Sequence, residues 1–353
     1  MSKRLLTATI AAVVLSAVGA CSRADGGSDS SAAPAQDKGP AAELRLGYFP
    51  NVTHAAALIG LEKALFAKEL GNTKLVPTKF NAGPEEVNAL LGGSLDAGFI
   101  GSGPAINAYA KSNGEAVRLI SGATSGGAQL VVRNDISKPE DLVGKTVVTP
   151  QLGNTQDVAL KKWLKDKAIF DKVQVTNLEN AQTLDAFKKG DVQAAWLPEP
   201  WSSRLVLEAG AKVLVDEKEL WPNGKFPTTV LIVRTGYLKD HPQTVQALLR
   251  GLIASIDYAG ASKTEAQAAV NKQLKELTGK DLSQPVTERA WSGIELTLDP
   301  VAGQFPQLAK DAVTAGVAKE AANVAGYADL TALNTVLKQL GKSEVDPSGL
   351  DKK

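Results

Sequence analysis

A chain of 353 residues, 44% of them apolar, is long enough for one large or two medium globular domains with real cores. Its 39 basic and 38 acidic side chains leave a formal net charge of +1, with no long basic stretch, so nothing in the electrostatics favours nucleic acid as a partner. Aromatics make up only 5% of the chain, which gives weight to any place where they cluster.

At the N-terminus, Lys3 and Arg4 precede an apolar run from Leu5 to Val18. That length suits the hydrophobic region of a signal peptide and falls short of a membrane span. Val18-Gly19-Ala20-Cys21 resembles the bacterial lipobox, and Cys21 is the only cysteine in the chain. Residues 1–20 therefore read as a lipoprotein signal peptide, with Cys21 as the lipidation site. An intrachain disulfide is impossible with one cysteine. Residues 21–42 are mostly Ser, Ala, Gly, Asp and Pro, a composition suited to a disordered tether above a membrane. No later segment reaches the length of a membrane span.

The folded part alternates strand-like and helical runs, which predicts an α/β fold with largely parallel sheets covered by helices. Strands are expected at 44–49, 75–80, 97–100, 118–122, 146–149, 173–178, 192–197 and 213–215. Helices are expected at 55–70 and 84–91. Phe80 to Gly93 aligns without gaps on Asn177 to Gly190, at an offset of 97 residues, and the same offset carries Leu95–Phe99 onto Val192–Trp196. This echo points to two similar lobes. Two apolar strands, 128–133 and 229–234, bracket the second copy, so the chain is expected to cross out once and back once. The predicted architecture is a hinged pair of lobes around a central cleft: lobe I at 43–128 plus 230–340, lobe II at 129–229, and a C-terminal tail at 341–353. The last third reads as helical. Val245, Leu248, Leu249, Leu252 and Ile256 form one apolar stripe behind Pro242, and more helix is expected at 264–277, 286–290 and 308–320.

Four small-residue turns open helices at predicted strand ends: Pro50–His54, Gly101–Pro104, Ser125–Ala128 and Leu152–Asp157. Free amides and the positive end of the helix dipole make such places anion sites, with Ser and Thr adding hydroxyl donors. None of the four contains Lys or Arg, which favours a compact monoanion over a polyphosphate. A single turn of this kind is ordinarily just a helix cap. Four in places where two lobes face each other carry more weight. A fifth cluster, Trp196-Leu197-Pro198-Glu199-Pro200-Trp201 with Arg204 one turn on, offers an apolar wall and an acid that pairs with Arg204 or meets a ligand amine.

Catalysis finds little support. The chain has two histidines, and neither accompanies a cysteine or an acidic cluster of metal-binding pattern. Gly144-Lys145-Thr146 has Pro139 where a phosphate loop needs its first glycine, and Gly101-Ser102-Gly103 has Ile106 where a dinucleotide turn needs its third. No cofactor or metal is expected.

Gly47–Ala55, Gln151–Asp157 and Trp196–Trp201 resemble the aliphatic sulfonate, taurine and nitrate group of ABC-transporter substrate-binding proteins, over about residues 44–340. The resemblance implies a two-lobed periplasmic-binding-protein fold, type II, that closes on a small anion and delivers it to an ABC permease. It implies a monomeric, exported lipoprotein held to the outer face of the cytoplasmic membrane, or in the periplasm of a Gram-negative host. The aliphatic-sulfonate binders look closest; for them it implies a sulfonate held by amides and hydroxyls, its alkyl tail against aromatics. Carried over, the ligand-binding residues are Asn51, Thr53, His54, Ser102, Gly103, Gly127, Asn154, Thr155, Trp196, Glu199 and Thr228. Taurine, nitrate, bicarbonate and a thiamine-precursor pyrimidine stand as alternative ligands, and an enzyme of the same fold as a remote one.

Overall fold

In the computed structural model, residues 37–352 are described. The expected signal peptide, Cys21 and most of the expected tether lie outside the described residues. The tether's expected end at residue 42 moves earlier: the Lys38 amide donates to the Asp240 carbonyl, and the buried Ala41 donates to Thr244 Oγ1. A buried methyl and paired amides make these residues part of the fold.

Strand β1 (Glu43–Tyr48) leads through a short 3-10 turn to α1 (Ala55–Glu62) and α2 (Leu65–Leu70), then β2 (Lys74–Lys79), α3 (Gly83–Leu91), β3 (Ala97–Gly101), α4 (Ser102–Lys111) and β4 (Val117–Gly126). The single helix expected over 55–70 is broken at Ala64, whose φ is +52°. The break tucks Phe66 against Gly60, where an added Cβ would lie 2.2 Å from the ring. A second set follows: β5 (Ala128–Val132), β6 (Thr146–Thr149), α5 (Thr155–Asp166), β7 (Gln174–Asn177), α6 (Asn180–Lys189), β8 (Ala194–Pro198), α7 (Trp201–Ala209) and β9 (Lys212–Asp216). The chain then returns through β10 (Pro227–Arg234) to α8 (Thr235–Asp240), α9 (Pro242–Ala261), α10 (Lys263–Thr278), α11 (Gln284–Ser292), β11 (Ile294–Leu296), α12 (Phe305–Thr314) and α13 (Thr331–Gln339). Helix α12 stops short of the expected Glu320 because Gly316 turns the chain at φ +75°. Strand β11 and helix α13 were not anticipated.

Two sheets result, in the orders β11-β4-β10-β3-β1-β2 and β7-β6-β8-β5-β9. In each, three parallel strands (β2-β1-β3 and β7-β6-β8) are followed by one antiparallel strand, β10 or β5. The 97-residue echo maps β3 onto β8 residue for residue. Central strands such as β3 are buried along their whole length, as parallel strands covered on both faces must be. The predicted stripe on α9 packs into the core of the first sheet: Val245, Leu248, Leu249 and Leu252 are fully buried, Ile256 partly.

Gly126 (φ +74°) and Gly127 (φ +82°) carry the chain from β4 to β5, that is, from one sheet to the other. A Cβ at Gly127 would lie 2.4 Å from Ile294, so both conformation and space call for glycine there. The return crossing lies between β9 and β10. Because β10 starts at Pro227, Thr228 and Thr229 belong to the first sheet rather than to the second lobe, where the sequence placed them.

Candidate functional site

The strand ends of both sheets converge on one small cavity of about 30 Å³. By the same measure a single water needs roughly 10–15 Å³, so there is room for a compact headgroup and little more. Three of the expected turns reach it: Asn51, Thr53 and His54 after β1, Gly101 and Pro104 at the β3–α4 junction, and Asn154 and Thr155 at the start of α5. Thr228 and Thr229 on β10 complete that wall. Among the described residues lining the cavity, none is a lysine, arginine, aspartate or glutamate.

Asn51 is fixed from the opposite side of the cleft. The Trp201 indole N–H, at the start of α7, donates to Asn51 Oδ1 at 3.0 Å, with both side chains buried. This sets the amide orientation and leaves the Asn51 NH2 as its donor toward the cavity. Helix α5 is capped by Asn154, whose Oδ1 accepts from the Asp157 amide at 2.8 Å. First-turn amides have no intrahelical partner, so those of Thr155 and Gln156 remain for a ligand. Thr155 also joins the two sides of the cleft: its Oγ1 accepts from the Gly103 amide at 3.3 Å.

His54 lines the cavity but has no hydrogen to give. Burial pushes its imidazole down to about 3, so the ring is neutral. Nε2 faces the Phe99 carbonyl at 3.2 Å and must carry the proton, which makes Nδ1 the acceptor of the Thr53 hydroxyl at 3.3 Å. The hydrogens of both side chains are thereby spent inside the protein. They support the cavity wall and do not donate to an anion, a correction to their expected role.

Thr228 is similarly occupied, its hydroxyl donating to the Gly126 carbonyl at 2.6 Å. Its neighbour Thr229 is the better candidate: 1% exposed, lining the cavity, with no hydrogen-bond partner for Oγ1. A buried hydroxyl of this kind calls for a partner from outside the protein, a water or a ligand. The sequence signal was the Thr-Thr pair at the head of a strand, and it did not say which hydroxyl was free. Asn81, Gln156 and Asn180 also line the cavity without having been singled out, and Asn180 Oδ1 has no partner.

Five expected residues do not line this cavity. Trp196 is fully buried within the second sheet's core, edge-on to Trp163 at 6.4 Å, because the inward face of β8 carries it there. Gly127 shapes the crossing, and its carbonyl accepts from the Glu199 amide. Ser102 opens α4 with a buried hydroxyl that has no partner. Glu199 is 1% exposed and pairs with Arg289 of α11 at 3.2 Å, while its other carboxylate oxygen accepts from the Ser203 amide. Arg204, the partner expected for it, pairs instead with Glu208. Burial raises the Glu199 carboxyl, opposed by Ser203, Ser202 and Arg289. Arg289 also donates to Ser203 Oγ and Gln129 Oε1, which binds α11 to the second sheet. Gly103 belongs to a larger neighbouring cavity that shares Thr155.

Two α/β lobes joined by two crossings, with strand-end turns facing one another over a cleft, are the architecture of the periplasmic binding proteins. The chain belongs to the NMT1-like family, whose profile matches residues 37–274. The Taurine-binding periplasmic protein of Escherichia coli (strain K12) is 32% identical over 193 residues, 53% of this chain and 58% of that protein's own length. Solved structures of the same fold include the alkanesulfonate-binding protein SsuA from Xanthomonas axonopodis pv. citri bound to MOPS, with a TM-score of 0.63, 22% identity, and coverage of 78% of this chain and 92% of that one. The periplasmic aliphatic sulphonate binding protein SsuA from Escherichia coli superposes with a TM-score of 0.64 at 21% identity, over 83% and 91% of the two chains.

Proposed function

We propose that this protein is the extracytoplasmic solute-binding component of an ABC importer and captures a small organic anion, an alkanesulfonate of short chain, by closure of its two lobes. It is a binding protein, not an enzyme. The observation that carries the reading is a cleft cavity lined by neutral donors at strand ends and at the start of α5, with no basic side chain among the described lining residues. Hydrogen bonds to a charged group contribute roughly 1.5–3 kcal/mol each, so a few suffice for a monoanion. Asn51, Thr155, Gln156 and Thr229 are the residues assigned to the headgroup. Phe49, Ala82 and Pro104 line the same cavity and supply apolar contact for a short tail.

Taurine is the second reading. Asn180 Oδ1, an unpartnered acceptor in the same cavity, suits a ligand ammonium, and the taurine-binding relative at 32% identity points the same way. Calorimetry with methanesulfonate through octanesulfonate, taurine, sulfate, nitrate, bicarbonate and a pyrimidine tests the assignment. Short sulfonates or taurine should give saturable heat. Heat with nitrate, bicarbonate or the pyrimidine alone overturns the sulfonate reading, and no heat with any of them overturns the binding role.

The proposal includes a lipid anchor at Cys21, a monomeric protein, and a hinge at the two crossings, Gly126-Gly127 and the segment between β9 and β10, that divides the chain into one lobe around each sheet. Cys21→Ala should move the protein from the membrane fraction to the soluble one. A variant that stays with the membrane removes lipidation from the account.

A further inference from the structure

Beside the anion cavity lies a chamber of about 500 Å³ between α4, α5 and α12, floored by the segment that returns from β9 to β10. Thr155 lines both spaces, and its contact with Gly103 stands between them. The chamber differs in character from its neighbour. Trp163, Trp221 and Phe226 contribute aromatic surface, with Ile106, Val158 and Leu220 adding aliphatic contact.

Two of its polar side chains are buried acceptors short of donors. Glu217 is 1% exposed, and neither carboxyl oxygen makes a hydrogen bond among the described residues. The Trp196 indole N–H stands near enough to favour the charged carboxylate, yet it too makes no hydrogen bond of acceptable geometry. Gln304, which also lines the chamber, donates its amide to the Lys225 carbonyl, while its Oε1 is buried without a partner. The other charged residues lining the chamber are Asp166, Asp311 and Glu320 against Lys162 and Lys167, an acidic excess, and Lys162 is already paired with Asp166. Asp216, next in sequence, opposes ionisation of Glu217.

We propose that this chamber is a second ligand site, for an apolar organic ammonium whose body lies against Trp163, Trp221 and Phe226 and whose charged end meets Glu217 and Gln304. An ammonium brings three N–H donors and a positive charge, which are what the two orphaned acceptors lack. Aromatic faces add cation–π attraction, stronger where water is excluded. The site is independent of the anion in the neighbouring cavity.

The chemistry also supplies a signature. Burial pushes the Glu217 carboxyl up to about 8, so in the empty chamber at pH 7 it is mostly protonated. An incoming ammonium favours the carboxylate, and close to one proton must leave for the buffer.

Titration calorimetry of the full chain with n-hexylammonium at pH 7, in two buffers of different ionisation enthalpy, tests this, with 1-hexanol and hexanoate as matched probes. Hexylammonium should bind at millimolar concentration or below and release close to one proton. Hexanol should bind about tenfold more weakly or worse, and hexanoate not at all. Glu217→Gln should weaken hexylammonium by about tenfold or more and abolish proton release, while leaving binding of the sulfonate probe methanesulfonate unchanged. Ala312→Trp, which fills the chamber while keeping Glu217, should abolish hexylammonium binding. Hexanoate binding as well as hexylammonium, an unaltered affinity in Glu217→Gln, competition between hexylammonium and methanesulfonate, or no hexylammonium heat in a folded protein would each overturn the proposal.

Discussion

Gly101→Ala isolates the closed cleft from the stability of the fold. At Gly101 (φ −66°, ψ 147°) alanine meets no backbone strain. An added Cβ would lie 3.6 Å from Pro104, an ordinary contact, but 2.4 Å from Thr155 Oγ1 on the far side of the cleft. Losing glycine at a helix N-cap costs a fraction of a kcal/mol, and the stiffer unfolded chain returns about as much. The unliganded melting temperature should therefore move by less than about 3 °C. Closure is another matter. The Thr155 hydroxyl must retreat by about 1 Å, which forfeits the Gly103 bond, worth about 1 kcal/mol, and forces a poor rotamer at a similar cost. Together these give about 2 kcal/mol, or roughly 30-fold weaker binding. Calorimetry with the best sulfonate, paired with a melting curve, reads both quantities. Parental affinity in a folded Gly101→Ala protein would show that Thr155 does not sit at the closed edge of a working site.

Thr229→Val removes a buried hydroxyl without a protein partner. It should cost about tenfold in ligand affinity while leaving the unliganded protein as stable or up to about 1 kcal/mol more so, by calorimetry and urea denaturation. A loss of stability with unchanged affinity would mean the hydroxyl serves the fold. His54 should stay neutral in an NMR titration down to pH 4, because its folded value is about 3 against about 6.5 unfolded. The sign follows: its contribution is complete above pH 6.5 and drains, by on the order of 4 kcal/mol, as the pH falls toward 3 and the unfolded chain takes up the proton. A ring protonated at pH 5 refutes this. Arg289→Met leaves Glu199 buried and uncompensated, and should destabilise the protein by about 3 kcal/mol in urea denaturation. Adding Glu199→Gln should recover most of the loss; a double variant as unstable as the single one would assign the role to the other Arg289 contacts.

The alternation of strands and helices was legible because each central strand is a short apolar run bounded by glycine or a polar turn. The duplicated topology was legible because two copies of one β–α–β unit keep their spacing. Asn51, Asn154 and Thr155 were placed at the candidate cavity by a physical argument: these strand-end turns that open helices face the cleft. The misses share a different cause. Nothing local separates Thr228 from Thr229, since a strand's two faces are distinguished only by what packs on each. Trp196 and Trp201 stand five residues apart in one motif, yet the first fills a core and the second reaches across the cleft to Asn51. Nor does a sequence say that the Thr53 hydroxyl is consumed by the imidazole beside it. Arg289 escaped notice altogether, because its partners Glu199, Ser203 and Gln129 lie 86 to 160 residues away.

The bond from Trp201 to Asn51 gives the molecule its own optical gauge. An indole whose N–H is held in a dry contact emits differently from one released to water, so parting of the cleft should register as a red shift of its fluorescence. With its four companions replaced by phenylalanine, this single fluorophore would report cleft occupancy without any attached dye.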